Sequence, residues 1–487
     1  MTEKNSRRIL WLIIILALLV RILPALFTEN LNHPDENFQI LEQAHRVVFG
    51  YGLIPWEFRH DARSWIVPGL TAILLYPFKL LRLDRPDIYI PGLRIIFSII
   101  SLSVIFSAWF IARHRASLRA GLLAAFFCAV WYEIVYFSMR PFSEVWAAVF
   151  FMAALALATG PSGNRRLVLA GFLMALTAAV RIHYAVVIPV ALVMICREHD
   201  RSGLYRAVAG AAAALVLVGL FEKLTVGGFF ASYINYFRLG RTFSLAGAET
   251  SSSLFHYVLQ LGYNSLFLFW LLAVAAAVFW KKTGYLLLSA ALVIAVHSVI
   301  PMKAHLAADR FVYLTIPLLL TAAAIAINEL IARIRARFRT RLLGLLIPVI
   351  FVLFSVAGAV GLGPRHDTPY GCRLFARDSG LIAYKYLHDN EHLQALYDDG
   401  FWFHSGGCYY LHRDIPLYFA NTPPPSLDHI SHILTGQEIS LTMIFEPFRI
   451  DSVLVYSRRN TDFECAVDST YTRHMLQPGI DRTARPH

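Results

Sequence analysis

The residues with the clearest potential for chemistry lie in one short stretch near the N-terminus. This stretch reads His33-Pro34-Asp35-Glu36-Asn37-Phe38-Gln39. Pro34 suits a first helical position, and the apolar spacing that follows predicts an interfacial helix with Asp35 and Glu36 in its first turn. Such carboxylates could accept a proton from a hydroxyl. They could also simply complement the helix dipole, at about 0.3–1 kcal/mol each, and composition alone favours that explanation.

The surrounding residues change this balance. Downstream in the same loop stand Gly50-Tyr51-Gly52, Trp56-Glu57-Phe58 and Arg63-Ser64-Trp65. Acids, aromatic faces and a basic group beside a bilayer are typical of sites that handle sugars or lipid phosphates. The sequence therefore predicts a functional site in the first external loop, residues 28–87.

A second group of candidates consists of cations near the same membrane face. They are Arg140, Arg181, Arg238, Arg241, Lys303 and Arg310. Each one alone could be a long side chain that reaches the lipid headgroups. Six at one face predict a binding site for the phosphate of a polyprenyl carrier, whose tail would stay in lipid.

Other polar residues near the membrane receive plainer interpretations. His183, His297 and His305 lack metal-ligand spacing, so we expect hydrogen-bonding or core histidines and no metal site. Glu133 and Glu222 lie at or near predicted helix ends, where we expect solvated carboxylates.

The elements that must position these residues are membrane helices. Of the 487 residues 57% are apolar and 16% are charged, against about 45–50% and 25% in soluble domains. The apolar runs predict eleven transmembrane helices. Their approximate bounds are 9–27, 88–112, 119–137, 143–159, 167–181, 182–196, 206–224, 254–280, 284–300, 311–328 and 342–360. Residues 66–81 contain two prolines and a lysine, which favours a re-entrant or interfacial piece.

The distribution of charge fixes the expected orientation. The net charge of +12 resides largely in short loops and not in a soluble patch, so we expect no nucleic-acid partner. Placing these basic loops in the cytoplasm leaves the N-terminus inside and the C-terminus outside. The predicted organisation is a transmembrane domain, residues 1–360, and a small external α/β domain, residues 361–487.

The external domain has its own predicted core and cysteines. Its apolar runs are 381–387, 415–419 and 453–456. Three of the five cysteines, Cys372, Cys408 and Cys465, would lie outside, where disulfides persist. A bridge from Cys372 to Cys408 is one open alternative, since nothing in the sequence fixes the pairing.

The first external loop resembles glycosyltransferase family 22. The resemblance rests on His33 to Gln39, Glu42, Gly50-Tyr51-Gly52, Trp56-Glu57 and Arg63-Ser64, with Arg21, Arg140, Ser143 and Arg181 also in matching places. The tail is most similar to the third GPI mannosyltransferase branch through His404-Ser405, Tyr409-Tyr410 and His412. The chain departs from the family pattern at Pro55, at Ile182-His183 and in residues 303–311, where Arg310 still matches.

This resemblance implies a C-type glycosyltransferase fold and an inverting transfer of mannose. The donor would be polyprenyl- or dolichyl-phosphate mannose and the acceptor a hydroxyl of a glycolipid or oligosaccharide, with no metal or other cofactor. It assigns Asp35 as the general base and Glu36 as a group that orients the base or the acceptor. Phosphate binding falls to Arg140, Arg181 and Arg310, and the acceptor side to Trp56, Glu57 and Arg63. The membrane would be that of the endoplasmic reticulum or a bacterial inner membrane, with the site on the luminal or periplasmic side.

A chain with many membrane helices could also belong to two other classes of protein. A transporter or flippase of lipid-linked sugar also needs intramembrane charge, but here the acids cluster in an external loop and no inverted repeat is visible. A scaffold role is the third alternative. Transfer of mannose to an acceptor glycolipid separates the enzyme from both.

Overall fold

The computed structural model is mainly helical and ends in a mixed β-sheet. It describes residues 2–160, 163–245, 255–299, 309–337, 343–360, 372, 374–399, 405–420, 422–437, 444–450, 453–468, 471 and 473. The α-helices are α1 (Glu3–Phe27), α2 (Pro34–Glu36), α3 (Glu42–Phe49), α4 (Trp56–Arg59), α5 (Ile66–Leu80), α6 (Pro86–Arg115), α7 (Leu118–Val130), α8 (Tyr132–Ser138), α9 (Ser143–Ala158), α10 (Asn164–Val180), α11 (Ile188–Val226), α12 (Ala231–Leu245), α13 (His256–Asn264), α14 (Leu268–Ala277), α15 (Trp280–Val299), α16 (Thr315–Arg337), α17 (Leu343–Ala359), α18 (Ser379–Leu387) and α19 (Gly407–Leu411).

The protein is an integral membrane protein. Within the described ranges, five helical stretches are long and apolar enough to cross a bilayer, or seven if each of two bent helix pairs counts as one span. The eleven predicted spans are therefore not all confirmed. The predicted spans 143–159 and 167–181 correspond to helices of 16 and 17 residues. The segment 66–81 forms the 15-residue helix α5, shorter than a span.

Breaks in the helices account for most of the differences. The predicted span 119–137 bends by 63° at Trp131, and the predicted span 254–280 bends by 107° between α13 and α14. Leu266 and Phe267 adopt left-handed backbone angles at the second break, which no continuous helix accommodates. The predicted spans 182–196 and 206–224 share one helical stretch, which is interrupted at Asp200 (φ 66°, ψ −174°).

The chain folds into two compact units. The first unit comprises Met1–Leu26, Arg94–Phe230 and Ser244–Leu374, and the second comprises Phe27–Leu93, Ala231–Phe243 and Phe375–His487. The second unit thus contains the whole of the first predicted external loop, residues 28–87, together with most of the tail. The two units reflect packing within the chain and not position relative to the bilayer. The predicted division at residue 360 into a transmembrane domain and an external domain therefore stays a prediction.

Small residues bring α10 and α11 of the first unit into backbone contact. A Cβ atom at Gly171 would lie 1.8 Å from the carbonyl oxygen of Ala207, and one at Gly210 would lie 1.9 Å from that of Val168. Glycines of this kind allow close helix packing in membranes, where apolar burial alone does not drive association. This packing fixes α10, and Arg181 is the residue that directly follows its last helical residue, Val180.

The second unit contains a five-stranded sheet. Its strands are β1 (Leu396–Asp399), β2 (Leu417–Phe419), β3 (His432–Thr435), β4 (Phe445–Ile450) and β5 (Val453–Arg458). The order is β2-β1-β3-β5-β4, in which β1 pairs in parallel with β2 and β3 while β5 pairs antiparallel with β3 and β4. The three apolar runs predicted as core form α18, β2 and β5, and each contributes buried side chains.

The structure corrects the expectation for two carboxylates and answers the open question about the cysteines. Glu133 and Glu222 are fully buried and not solvated. The carboxylate of Glu133 accepts hydrogen bonds from the indole of Trp131 (2.8 Å) and the amide of Asn264 (3.3 Å), which satisfy it inside the protein. All five cysteines belong to the described part of the chain and each is a free thiol, so the alternative Cys372–Cys408 bridge is absent.

Candidate functional site

Asp35 lies in the first turn of a short helix, as predicted. His33 precedes Pro34 in extended conformation, and its Nδ1 accepts a hydrogen bond from the backbone N–H of Asp35 (3.1 Å). Because that nitrogen is an acceptor, its 3.4 Å approach to the Asp35 carboxylate is a contact and not a hydrogen bond. The Asp35 side chain retains 30% of its exposure, so a reacting hydroxyl can reach it.

Glu36 has a different environment from its neighbour. It is buried, and its Oε2 accepts a hydrogen bond from the backbone N–H of Asn32 (3.1 Å). A carboxylate near the start of a helix that accepts from the preceding backbone resembles a capping box. Glu36 therefore holds the start of the helix, and of the two carboxylates Asp35 is the more accessible.

Glu57 is a further carboxylate of the predicted site, after Asp35 and Glu36, and it also lies in the second unit. It is buried in α4, and its Oε1 accepts a hydrogen bond from the side-chain amide of Gln39 (2.5 Å). Burial and the negative charge of Asp35 raise the pKa of Glu57 to about 7, while the positive charge of Arg63 opposes the shift. The structure thus brings Glu57 within electrostatic reach of Asp35 and Arg63. Trp56 begins the same helix and is half-buried.

The helix that follows Asp35 also contacts the tail of the second unit. His45 Nε2 lies 3.0 Å from His412 Nδ1, and His45 Nδ1 lies 3.1 Å from the carbonyl oxygen of Tyr51. A carbonyl only accepts, so His45 carries its proton on Nδ1 and accepts at Nε2 from His412. Burial lowers the pKa of His45 to about 3 and that of His412 to about 4, so the pair is neutral.

The candidate phosphate-binding residues lie in the first unit. Arg181 is buried and forms an ion pair of 3.0 Å with the Glu144 carboxylate. Its guanidinium carbon also lies 5.2 Å from the centre of the Phe311 ring. Glu144, in the first turn of α9, accepts a further hydrogen bond from Ser143 (2.9 Å).

Arg310 shares an aromatic contact with Arg181. Its guanidinium carbon lies 4.9 Å from the centre of the Phe311 ring and 4.8 Å from that of Phe142. Arg140, two residues before Phe142, stacks over the ring of Tyr136 at 4.2 Å. Arg181 and Arg310 thus share the Phe311 ring, while Arg140 contacts a separate ring, and all three lie in buried surroundings that strengthen electrostatic interactions.

Two buried side chains, those of Tyr184 and Arg21, hold the backbone segments that carry or lead to these arginines. The hydroxyl of Tyr184 donates to the carbonyl oxygen of Phe311 (3.1 Å), which fixes the short helical turn that carries Arg310. Arg21 donates to the carbonyl oxygens of Cys128 (3.0 Å) and Ala129 (2.7 Å), the last turn of α7. It thereby caps the helix break that leads toward Arg140.

Several of the other cations and histidines that the sequence singled out lie outside the described residues. Lys303, His305 and His404 lie outside the described residues, as does the side chain of Arg241, and Arg238 is an exposed residue of the second unit. His297 is a buried histidine whose Nδ1 lies 2.9 Å from a backbone carbonyl, and its ring lies 5.5 Å from that of His183.

Two features of these groups are not predicted by the sequence, namely the role of Glu144 in the first unit and the contact of His45 with His412 in the second. Glu144 was not a candidate, although an acidic residue in an otherwise apolar helix is itself a signal. The contact between His45 and His412 joins positions 367 residues apart, and no local pattern indicates it.

Known proteins with similar sequence or structure identify the family and the fold of this chain. The model of the Alg9-like mannosyltransferase family matches residues 11–369. GPI mannosyltransferase 3 of Yarrowia lipolytica is 27% identical over 431 residues, which cover 83% of this chain and 76% of that protein. Mannosyltransferase APTG1 of Arabidopsis thaliana is 39% identical over 89 residues, only 18% of this chain and 16% of that protein.

Among solved structures, ArnT from Cupriavidus metallidurans bound to undecaprenyl phosphate is similar with a TM-score of 0.59 and 12% identity, covering 92% of this chain and 97% of that one. This likeness shows the C-type glycosyltransferase fold. The family match covers most of the chain and includes the loop of Asp35 and the arginines of the first unit. The protein belongs to the Alg9-like mannosyltransferase family.

Proposed function

We propose that the protein is an inverting mannosyltransferase. It moves mannose from a polyprenyl- or dolichyl-phosphate carrier to a hydroxyl of a glycolipid or oligosaccharide acceptor, with formation of an α-mannosidic bond. The observation that carries the proposal is the accessible Asp35 carboxylate on a capped helix beside the buried Glu36 and Glu57.

In this reaction Asp35 is the general base. It accepts the proton of the acceptor hydroxyl as that oxygen attacks the anomeric carbon, and the bond from carbon to phosphate oxygen breaks. Attack from the side opposite the phosphate inverts the configuration. A positioned base of this kind contributes about 10²–10⁴-fold to the rate.

The departing lipid phosphate needs stabilisation of its negative charge. Arg140, Arg181 and Arg310 can supply it, because guanidinium groups match the geometry of phosphate oxygens. Stacking on aromatic rings holds the face of a guanidinium group, while its N–H donors lie in the plane and point to the side. Phosphate is a good leaving group, so the mechanism needs no strong general acid.

Two similar proteins motivate the acceptor and the carrier lipid that we propose. A glycolipid acceptor follows the GPI mannosyltransferase of Yarrowia lipolytica, and a polyprenyl-phosphate carrier follows the undecaprenyl phosphate in the ArnT structure. We place the reaction on the luminal face of the endoplasmic reticulum or the periplasmic face of a bacterial inner membrane. The comparisons favour a transferase over a transporter or flippase.

The test is mannosyl transfer by purified protein carrying Asp35→Asn. We expect kcat to fall by about 10²–10⁴-fold, because the amide cannot accept the proton. Asp61→Asn is the matched control, since Asp61 is an exposed aspartate of the same loop with a positive φ of 48° that asparagine tolerates. Near-normal transfer by folded Asp35→Asn protein would overturn the assignment of the base.

A further inference from the structure

Glu42 has a buried carboxylate that accepts hydrogen bonds from three backbone N–H groups of other segments and from the thiol of Cys408. Its Oε1 accepts hydrogen bonds from the N–H groups of Leu53 (2.7 Å) and Cys408 (3.1 Å). Its Oε2 accepts from the N–H of Tyr409 (2.8 Å). One side chain of α3 therefore joins the loop after α3 to the first turn of α19.

Two glycines leave space for this carboxylate. A Cβ atom at Gly407 would lie 2.7 Å from Glu42 Oε2, and one at Gly52 would lie 3.0 Å from Glu42 Oε1. Gly407 also has a φ of +55°, in the left-handed region that other residues rarely adopt. The backbone on both sides of Glu42 is thus shaped around the carboxylate.

Two more contacts join the same helical region to the tail. The side-chain amide of Asn37 donates to the carbonyl oxygen of Ser405 (3.2 Å), and His45 accepts from His412. Residues Asn37–Leu41 form a π-helical turn, closed by a bond from the N–H of Glu42 to the carbonyl of Asn37. Since such a turn bonds residues five apart, it brings Asn37 and Glu42 to one face of the helix.

We propose that Glu42 is a positioning residue that sets the place of Asp35 through the tail segment Ser405–His412. This inference rests on the proposed role of Asp35 as the base. The three contacts of Asn37, Glu42 and His45 begin two residues after Asp35 and extend along one face of its helix. The tail segment is therefore a part of the catalytic framework, although it follows Asp35 by about 370 positions in the sequence.

The first test is Glu42→Gln. The substitution keeps the length of the side chain but removes its charge and turns an N–H₂ group toward a backbone donor. We expect kcat to fall about 10–100-fold with the KM for the donor changed by less than about threefold, because small misplacement of a base slows chemistry without weakening binding. The control is Glu446→Gln, the same change at an exposed glutamate of β4.

A second pair of variants varies the space around the carboxylate. Gly407→Ala places a methyl group against Glu42, whereas Gly227→Ala meets nothing within 4 Å although its φ is also positive, at +91°. Both variants carry the backbone strain, but only Gly407→Ala displaces the carboxylate. We expect the same loss of kcat for Gly407→Ala as for Glu42→Gln and none for Gly227→Ala.

Hydrogen–deuterium exchange separates failure of this inference from failure of the proposed function. In Glu42→Gln protein we expect faster amide exchange in residues 34–49 and 405–412 together, whether or not the protein transfers mannose. Faster exchange with kcat per folded protein within about twofold of wild type would overturn the positioning role. Unchanged exchange in both segments would overturn the coupling itself.

Discussion

The carboxylates of the second unit and the arginines of the first unit are held by different kinds of contact. Glu36 and Glu42 accept hydrogen bonds from backbone N–H groups, and Glu57 accepts from the amide of Gln39. Arg310 and Arg140 instead rest against aromatic rings. Backbone donors fix the position of an oxygen, whereas a ring face fixes only the plane of a guanidinium group.

This difference suits the two tasks that we propose for these groups, proton acceptance and phosphate binding. A base must lie within hydrogen-bond distance of one proton, so its helix has to be held in place by several fixed donors. A phosphate-binding group works through its positive charge and its in-plane N–H donors, which a ring contact leaves available for the phosphate. Arg181 has both a ring contact with Phe311 and an ion pair with Glu144.

Arg181→Gln tests this difference with the largest expected effect. The change removes a charge from the arginine group and leaves the buried Glu144 carboxylate without its ion-pair partner. We expect kcat/KM for the lipid-phosphate donor to fall about 10²–10³-fold, together with an apparent loss of stability of about 3–5 kcal/mol. Steady-state kinetics and thermal unfolding in detergent measure the two effects.

The double variant Arg181→Gln with Glu144→Gln separates these effects. It removes the unbalanced buried charge, so the stability should recover while the loss of kcat/KM remains. Arg113→Gln is a suitable control, because Arg113 also stacks on an aromatic ring, that of Trp109 at 5.1 Å, but lies at a predicted cytoplasmic helix end. If activity recovers with stability in the double variant, Arg181 has no role in phosphate binding.

Arg310→Lys tests the contribution of stacking alone. Lysine keeps the positive charge but loses the flat group that contacts Phe142 and Phe311. We expect a loss of about tenfold in kcat/KM, smaller than for Arg181→Gln. A loss as large as that of Arg310→Ala would mean that charge contributes nothing, and an unchanged rate would mean that the rings do not orient the arginine.

Among the carboxylates of the second unit and the arginines of the first, the sequence predicts only features that depend on local residue patterns. The helix that begins at Pro34 is predictable because a proline and two acids mark its first turn, and Arg140 and Arg181 are predictable because charge beside apolar runs is costly. The bonds from Glu42 to Cys408 and from His45 to His412 are not, since no periodicity connects residues so far apart. The bend at Trp131 also escapes prediction, because apolar residues continue on both sides of it.

Glu57→Gln tests the electrostatics of the carboxylates. Its pKa of about 7, against 4.5 for an ordinary glutamate, means that the folded state binds this proton more tightly than the unfolded state. Between pH 4.5 and pH 7 the contribution of Glu57 to stability falls as the pH rises, by roughly 1–3 kcal/mol in all. We expect Glu57→Gln to raise the apparent Tm at pH 8 and to remove this slope, measured by unfolding from pH 5 to pH 8. A slope that persists in the variant would assign it to other groups.

The neutral pair of His45 and His412 should show the opposite dependence, with the smallest effect. The pKa values of His45 and His412, about 3 and about 4, lie below the ordinary 6.5 mainly because both rings are buried. Electrostatic repulsion from His412 lowers the pKa of His45 further, and repulsion from His388 lowers that of His412. The stability that the pair contributes is complete above pH 6.5 and is lost as the pH falls toward 4, on the order of 1 kcal/mol for the partly exposed His412. His412→Asn keeps a donor and suits the positive φ of 48°, but it cannot take up a proton. We therefore expect a flatter decline of the apparent Tm between pH 6.5 and pH 4, and an unchanged decline would show that the acid sensitivity arises elsewhere.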